Sequence, residues 1–237
     1  MIRTRRAAAA LLTLAVSTLG LVVTAAPAQA ATPITAPDSA SMYPGNLVLV
    51  EPLFNDTDAD DDDLVVCRIA DSSYKKIDFF FGFTEEGEQS DQQLVLASRA
   101  GAAPGTYTFT YYACDFQNLV AGTITLTINE PPDITVKALP GQPGKIKVKN
   151  PADFRIRFYY GSFKEQEPDG DIVIPRGSSV ILVVRRTQID WIAIKPRGAQ
   201  FLKQGRLKGI KLPPGTTSPA AGRPVSPALA KLWAGGV

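Results

Sequence analysis

The chain has 237 residues, with 25 lysines and arginines against 23 aspartates and glutamates, two cysteines and no histidine. The missing histidine excludes every histidine-dependent triad or dyad and argues against zinc catalysis. A formal net charge of +2 hides two unlike regions: acids outnumber bases about four to one from Glu51 to Asp91, and bases outnumber acids more than two to one from Lys137 to Lys211.

Arg3, Arg5 and Arg6 precede an apolar run from Ala7 to about Ala26, and Ala28-Gln29-Ala30 supplies the small-x-small pattern that a signal peptidase reads. Residues 1–30 are predicted as a signal peptide. Retention as an anchor stays open, because a run of about twenty apolar residues spans a bilayer; once it is removed, no membrane span is left. The flanks of Arg5-Arg6 fit twin-arginine export poorly, and no cysteine near the cleavage site supports a lipoprotein anchor. Export makes a Cys67–Cys114 disulfide the expected state, two buried free thiols being the alternative.

The mature chain is rich in Val, Ile, Thr, Tyr and Phe, is punctuated by Gly and Pro, and has no long segment of helical periodicity. It is predicted to be all-β, an immunoglobulin-like sandwich followed by a second small β-sandwich. The first domain covers 31–129. "NLVLVEPL", "DLVVCRIA", "KKIDFFFGF", "QQLVLAS", "GTYTFTYYACDF" and "GTITLTIN" are its strands, separated by turn signals such as "YPGN" and "AGAAPGT". Six or seven short strands in this length suit an immunoglobulin-like sandwich. Pro131 and Pro132 mark a linker over 130–133. A second domain, 134–212, has strands in "DITVKAL", "GKIKVKN", "FRIRFYYGS", "GDIVIP", "SSVILVVRR" and "DWIAI", with "TQI" as a connection and "QGRLKGIKL" as a candidate last strand. Residues 213–237, dominated by Pro, Gly, Ser, Thr and Ala, read as a disordered tail. Leu229, Leu232 and Trp233 are its only large apolar groups fit for docking, and fraying is the expectation.

The stretch "PLFNDTDADDDDLVV" resembles the opening of bacterial cadherin-like, immunoglobulin-like repeats, which read "VLxNDTDPDGDxLTV". "FTYYACDFQNLVAGTITLTI" resembles their closing "FTYTVSDGxGGxATATVTVTV". The resemblance spans about ninety residues. It implies the fold but little about activity, since such modules serve adhesins, enzymes and spacers alike. Asp61 stands where those repeats carry glycine, and one copy is found in a family that usually comes in tandem. Within this frame "YYAC" places Tyr112 two residues before Cys114, the spacing of a tyrosine corner. Alternation buries Phe109, Tyr111 and Ala113, and also Leu64 and Val66. Both cysteines then point outward unless a bulge intervenes.

Six aspartates fall within Asp56–Asp63. Alternate residues Asp56, Asp58, Asp60 and Asp62 gather carboxylates around one point, the hard-oxygen environment of calcium. An EF-hand is excluded, since glycine and glutamate are absent from its sixth and twelfth positions. The competing reading is a solvated acidic turn that stops a strand. In the second domain, Lys145, Lys147, Lys149, Arg155 and Arg157 alternate with apolar residues and suggest a basic face for an anionic polymer, extended by Arg185 and Arg186. The bland alternative is an ordinary polar outer face. Nucleic acid is not expected, because Phe154 and Phe158 fall on the apolar side. Trp191 reads as core. No cofactor beyond calcium is suggested.

No catalytic residues are predicted: Glu85, Glu86, Glu88 and Ser162 lack recognisable catalytic partners. The expected protein is an exported, non-enzymatic binding, adhesion or spacer protein at the bacterial surface, secreted or associated with the cell envelope. Its expected partner is a cell-envelope polymer or a surface protein. Wall-polymer or carbohydrate binding through the basic face is the second reading.

Overall fold

The computed structural model describes residues 30–115, 117–217 and 233. The rest of the predicted leader, together with Leu229 and Leu232, lies outside them.

Strict alternation builds the first sandwich. Along "TYTFTYYAC" the residues Phe109, Tyr111 and Ala113 turn inward and are almost completely buried, while the threonines between them stay nearer solvent. Ile124, Leu126 and Ile128 do the same on the next strand. Each large apolar side chain of this set, such as Phe109 or Leu126, contributes about 1.5–3 kcal/mol on burial. The elements are β1 (Asp38–Met42), β2 (Leu47–Val50), β3 (Val65–Ile69), β4 (Ile77–Phe83), β5 (Gln89–Ser98), β6 (Gly105–Cys114) and β7 (Leu119–Ile128). They form two sheets ordered β1-β7-β6-β3 and β2-β5-β4. The second to seventh strands take the Greek-key places of an immunoglobulin-like sandwich. β1 departs from the simplest version by leaving β2 and pairing in parallel with β7, from Asp38 opposite Ile124 to Met42 opposite Ile128. No strand pattern marks β1: "DSASM" has no β-branched or aromatic residue. Its place is fixed by the fully buried Met42 and by the Asn129 N–H donating to the Met42 carbonyl at 2.8 Å.

The disulfide joins Cys67 to Cys114 with the Cα atoms 6.0 Å apart. β3 and β6 are neighbours in one sheet, so the bond staples adjacent strands and does not cross the sandwich. The register runs Val65–Cys114 and Val66–Ala113, then jumps to Arg68–Tyr112, leaving Cys67 as the extra residue of a bulge. Cys67 is exposed and Cys114 is buried. The tyrosine-corner expectation is not met. Tyr112 lies on the outer side with the Arg68 guanidinium 4.0 Å above its ring. Tyr111 is the fully buried tyrosine, and its hydroxyl reaches back to the loop after β2. Its ring lies over Gly122, directly opposite on β7, where a Cβ would collide with it.

The second sandwich contains β8 (Thr135–Ala138), β9 (Lys145–Lys149), β10 (Ile156–Gly161), β11 (Gly170–Ile174), β12 (Ser179–Val183), β13 (Gln188–Lys195) and β14 (Gln200–Lys208). Its sheets are ordered β12-β9-β8 and β11-β10-β13-β14. This is again a seven-strand Greek key, with the fourth strand moved to the edge of the opposite sheet. The strand around Trp191 starts at Gln188, so "QI" belongs to β13 and not to a connection. Ile146, Val148, Ile156, Phe158, Ile174 and Trp191 form the core, with the Phe158 and Trp191 rings stacked at 5.6 Å. Trp191 faces Gly205 on β14, where only a hydrogen leaves room for the indole. Fully buried Asn150 donates to the carbonyls of Phe154, Ile174 and Pro175 and accepts from Ala152 N–H. That network closes one end of the sandwich without an unpaired group.

The two sandwiches touch directly as well as through the proline linker. Asn46 Nδ2 donates to the Phe201 carbonyl at 2.8 Å, and Phe201 N–H donates to Asn46 Oδ1 at 2.7 Å. One side-chain amide thus satisfies both backbone groups of Phe201, as a neighbouring strand would. Tyr43 adds an aromatic contact to Phe154 at 6.3 Å. In the tail, Trp233 by itself departs from the fraying expected there. It is fully buried against Tyr159, Ile192, Ile194 and Phe201, and its ring meets Phe163 edge-on at 4.8 Å.

Candidate cation site and the basic strands

The acidic loop begins where Pro52 ends β2 and a 3-10 turn, Pro52–Asn55, redirects the chain. Asp56 is the hinge of the local structure. Its Oδ2 accepts from the Tyr111 hydroxyl at 2.7 Å and its Oδ1 from Ala36 N–H at 2.8 Å. Ile34 and Thr57 exchange two backbone hydrogen bonds beside it, tying the N-terminal segment across the loop. Asp56 is thereby committed to the fold and is set apart from the other three predicted ligands.

Asp58, Asp60 and Asp62 do converge: a carboxylate oxygen from each lies within 4.8 Å of the others. Asp58 Oδ1 accepts from Asp60 N–H at 2.8 Å, which curls the loop, and Asp60 Oδ2 accepts from Ala31 N–H at 2.5 Å. Asp58 Oδ2 is shut off from solvent and has no hydrogen-bond partner among the described residues. Partial desolvation, followed by repulsion from Asp58, Asp60, Asp115 and Asp63, holds the Asp62 carboxyl above its ordinary range. Asp115, by contrast, is held below that range by its hydrogen bonds to Asn118 and Gln117. The donor set is all oxygen, with an orphaned carboxylate oxygen among it, and so fits a hard divalent cation.

A second acidic pair lies beneath the loop and was not read from the sequence. Asp38 on β1 faces Asp56 and Tyr111. Burial, then the charge of Asp56, pushes its carboxyl up to about 6. Burial and the same two carboxylates raise the Tyr111 phenol well above its usual range.

The five predicted basic residues do not share one face. Lys145, Lys147 and Lys149 project from the outer side of β9, in the middle of the β12-β9-β8 sheet. Arg155 immediately precedes β10 and Arg157 lies in it, in the opposite sheet, whose inward residues Ile156 and Phe158 meet Ile146 and Val148 in the core. The two sets therefore point away from each other. Arg157 is paired with Asp171 at 2.7 Å. Arg186 does not extend a basic patch either: it binds Asp169 at 2.7 Å and Glu165 at 2.6 Å, and these acids raise its pKa. What the sequence reading missed is Lys137, directly opposite Lys147 on β8. Across β9 on the other side stand Ile181 and Val183, opposite Lys147 and Lys145 and more than half exposed. The strands β8, β9 and β12 carry no acid.

The remaining buried acid has a structural role. Asp190 is 2 % exposed, accepts from Phe163 N–H at 2.9 Å and is paired with Arg206 at 2.5 Å.

No sequence-family profile and no curated protein matches the chain. Among solved structures it is similar to the BSP domain of a biofilm-associated protein, at 13% identity and TM-score 0.26, over 78% of this chain and 30% of that one. A three-immunoglobulin-domain fragment of titin gives 13% identity and TM-score 0.31, over 77% of this chain and 66% of that one. The four N-terminal immunoglobulin domains of Dscam1 isoform 6.9 give 11% identity and TM-score 0.26, over 79% and 47%. The chain thus spans about three tenths of the biofilm-associated structure and just under two thirds of the titin fragment. At such scores the likeness carries no further weight, and the immunoglobulin-like fold rests on the chain's own strand order. Among the described residues, no helix is long and apolar enough to cross a membrane.

Proposed function

We propose that this chain is an exported, non-enzymatic protein of the bacterial cell surface, in which two β-sandwiches hold binding surfaces at a set spacing. The supporting observation is the direct joint between them: the paired hydrogen bonds of Asn46 with Phe201 suit a spacer that presents surfaces in a fixed relation. A disulfide with one exposed cysteine suits an oxidising exterior. In this reading the first sandwich is a divergent cadherin-like repeat, and its partner is a surface protein. Crosslinking on intact cells is the test. Recovery of the chain in the envelope or medium with a crosslinked surface protein supports the proposal, and recovery only from the cytoplasm overturns it.

Asp58, Asp60 and Asp62 are proposed to hold calcium, with the orphaned Asp58 Oδ2 as the supporting observation. Calcium at about a hundred times its dissociation constant would add roughly 2.7 kcal/mol. Melts with calcium and with chelator test this, and Asp60→Asn together with Asp62→Asn must abolish the difference. Equal midpoints for the parent chain would leave a charged turn.

A second reading is favoured by the outer face of β8, β9 and β12, whose strands carry no acid and whose nearest carboxylate is Asp133, just before β8. There Lys137, Lys145, Lys147 and Lys149 would bind an anionic wall polymer or carbohydrate. Co-sedimentation with purified cell wall, lost at high salt and in a variant with Lys145, Lys147 and Lys149 changed to Gln, supports that reading. Retention by the variant overturns it.

A further inference from the structure

An exposed sheet face should alternate apolar inward with polar outward. The β2-β5-β4 sheet breaks that rule. "LVLV" in β2, "LVLA" in β5 and "FFF" in β4 are unbroken apolar runs, the pattern of strands covered on both sides. The inward set, including Val50, Leu94, Leu96 and Ile77, fills the first core. The outward set forms a second apolar layer. Leu49 stands opposite Val95, which stands opposite Phe80, and in the next row Leu47 stands opposite Ala97, which stands opposite Asp78, so the apolar patch ends there in a carboxylate. Leu47 is 66% exposed, Leu49 48% and Phe80 38%, and Val95 is nearly buried between its neighbours. Isolated exposed leucines are ordinary, but a contiguous patch on a sheet face marks a contact surface.

The ends of the patch carry opposite charge. At one end, Glu51 accepts from Gln93 Nε2 at 2.9 Å. At the other, Arg99 N–H donates to the Lys76 carbonyl at 3.0 Å, which sets two cations side by side; Arg99 is ion-paired with Asp78 at 3.5 Å, and Lys76 Nζ donates to the Gly101 carbonyl at 2.7 Å. One end is acidic, with Glu51 and, two residues beyond Gln93 on β5, Asp91, and the other is net basic. A surface with both signs at opposite ends of an apolar centre is complementary to itself.

We propose that the outer face of the β2-β5-β4 sheet is an interface with a second copy of this chain. The two-fold axis lies in the interface and across the strands, so that the two β5 strands run antiparallel. Leu47 and Leu49 of one copy then meet Leu49 and Leu47 of the other, and Glu51 of each approaches the Lys76–Arg99 end of the other. Two sheets stacked this way sit about 10 Å apart. Three strands at about 4.8 Å spacing and four rows of outward residues give a face of only roughly 14 by 25 Å. That is well below the ≈ 800 Å² per partner of a standard interface. The dimer is therefore a weak one, formed at tens of micromolar and above or where copies are held at high local density. The proposal is independent of export, of calcium and of the basic strands.

Sedimentation velocity on the chain from Ala31 onward, at about 5 to 500 µM in chelator, tests it. The expected result is a monomer–dimer equilibrium whose dissociation constant rises at least tenfold in Leu49→Asp, with an unchanged circular-dichroism melt because Leu49 faces away from the core. Glu51→Lys weakens the dimer, and Glu51→Lys with Lys76→Glu and Arg99→Glu restores it. A monomer at every concentration overturns the proposal, as does a dimer that survives Leu49→Asp. Failure of the charge exchange to restore binding overturns the two-fold arrangement.

Discussion

Replacing Asp38 by Asn should stabilise the protein at neutral pH and do nothing in acid. Asp38 carries its carboxyl on β1 against Asp56 and Tyr111, below the acidic loop. Burial and then the Asp56 charge raise its folded pKa to about 6, from 3.8 when unperturbed. Between those values the folded chain binds more protons than the unfolded one, so stability falls as pH rises through this window and the full cost is present above about pH 6. A shift of about two units corresponds to roughly 3 kcal/mol at most. Asp38 is only partly buried, so solvent screening reduces this to about 1–1.5 kcal/mol. Asparagine keeps the shape and removes the charge. The expected gain is about 5 °C in melting midpoint at pH 7.5 for a domain near a hundred residues, shrinking to zero by pH 4. Melts at pH 4, 5, 6 and 7.5 in chelator measure it, with Asp58, Asp60 and Asp62 left intact in both proteins. An equal gain at pH 4, or a loss at pH 7.5, would refute the argument that charge on Asp38 is what costs stability.

Removing the disulfide by Cys67→Ser with Cys114→Ser should cost about 2–4 kcal/mol, since the bond closes a loop of 47 residues' separation; denaturant titration reads this directly. Asn46→Ala leaves both backbone groups of Phe201 without their partner and should cost about 1–2 kcal/mol. Small-angle scattering and the cooperativity of the melt then report whether the sandwiches separate. Trp233→Ala should destabilise the second sandwich by about 3 kcal/mol through the cavity left beside Phe163 and Tyr159. An unchanged denaturation midpoint would mean that the indole contributes nothing there.

Much of the fold was legible because alternation is a local signal. Phe109, Tyr111 and Ala113 announce their face in the sequence, and so do Ile146 and Val148. β1 was not legible, because "DSASM" owes its strand to a parallel neighbour more than eighty residues away. The Asn46–Phe201 joint has the same character: a lone asparagine in "YPGN" reads as a turn residue until Phe201 arrives beside it. Trp233 sits among small residues and prolines, so nothing nearby reveals that Tyr159, Ile192 and Phe201 leave room for it. At the acidic loop, spacing placed Asp58, Asp60 and Asp62 together. It could not separate out Asp56, whose Tyr111 partner lies on another strand. The basic strands failed for a topological reason. Period two assigns residues to one side of a strand, but β9 and β10 face the same core from opposite sheets.

The parallel pairing of β1 with β7 also determines how the first sandwich bears tension. The chain enters at the start of β1 and leaves at the end of β7, and the two strands run in the same direction. A pull on the two ends therefore acts along the strands and loads the pairs from Asp38–Ile124 to Met42–Ile128 together, instead of peeling them one by one. Should that pair give way, the Cys67–Cys114 bond still keeps the chain between the cysteines from lengthening. Such a module resists a pull along its length, and the bond withholds about half of its chain from extension.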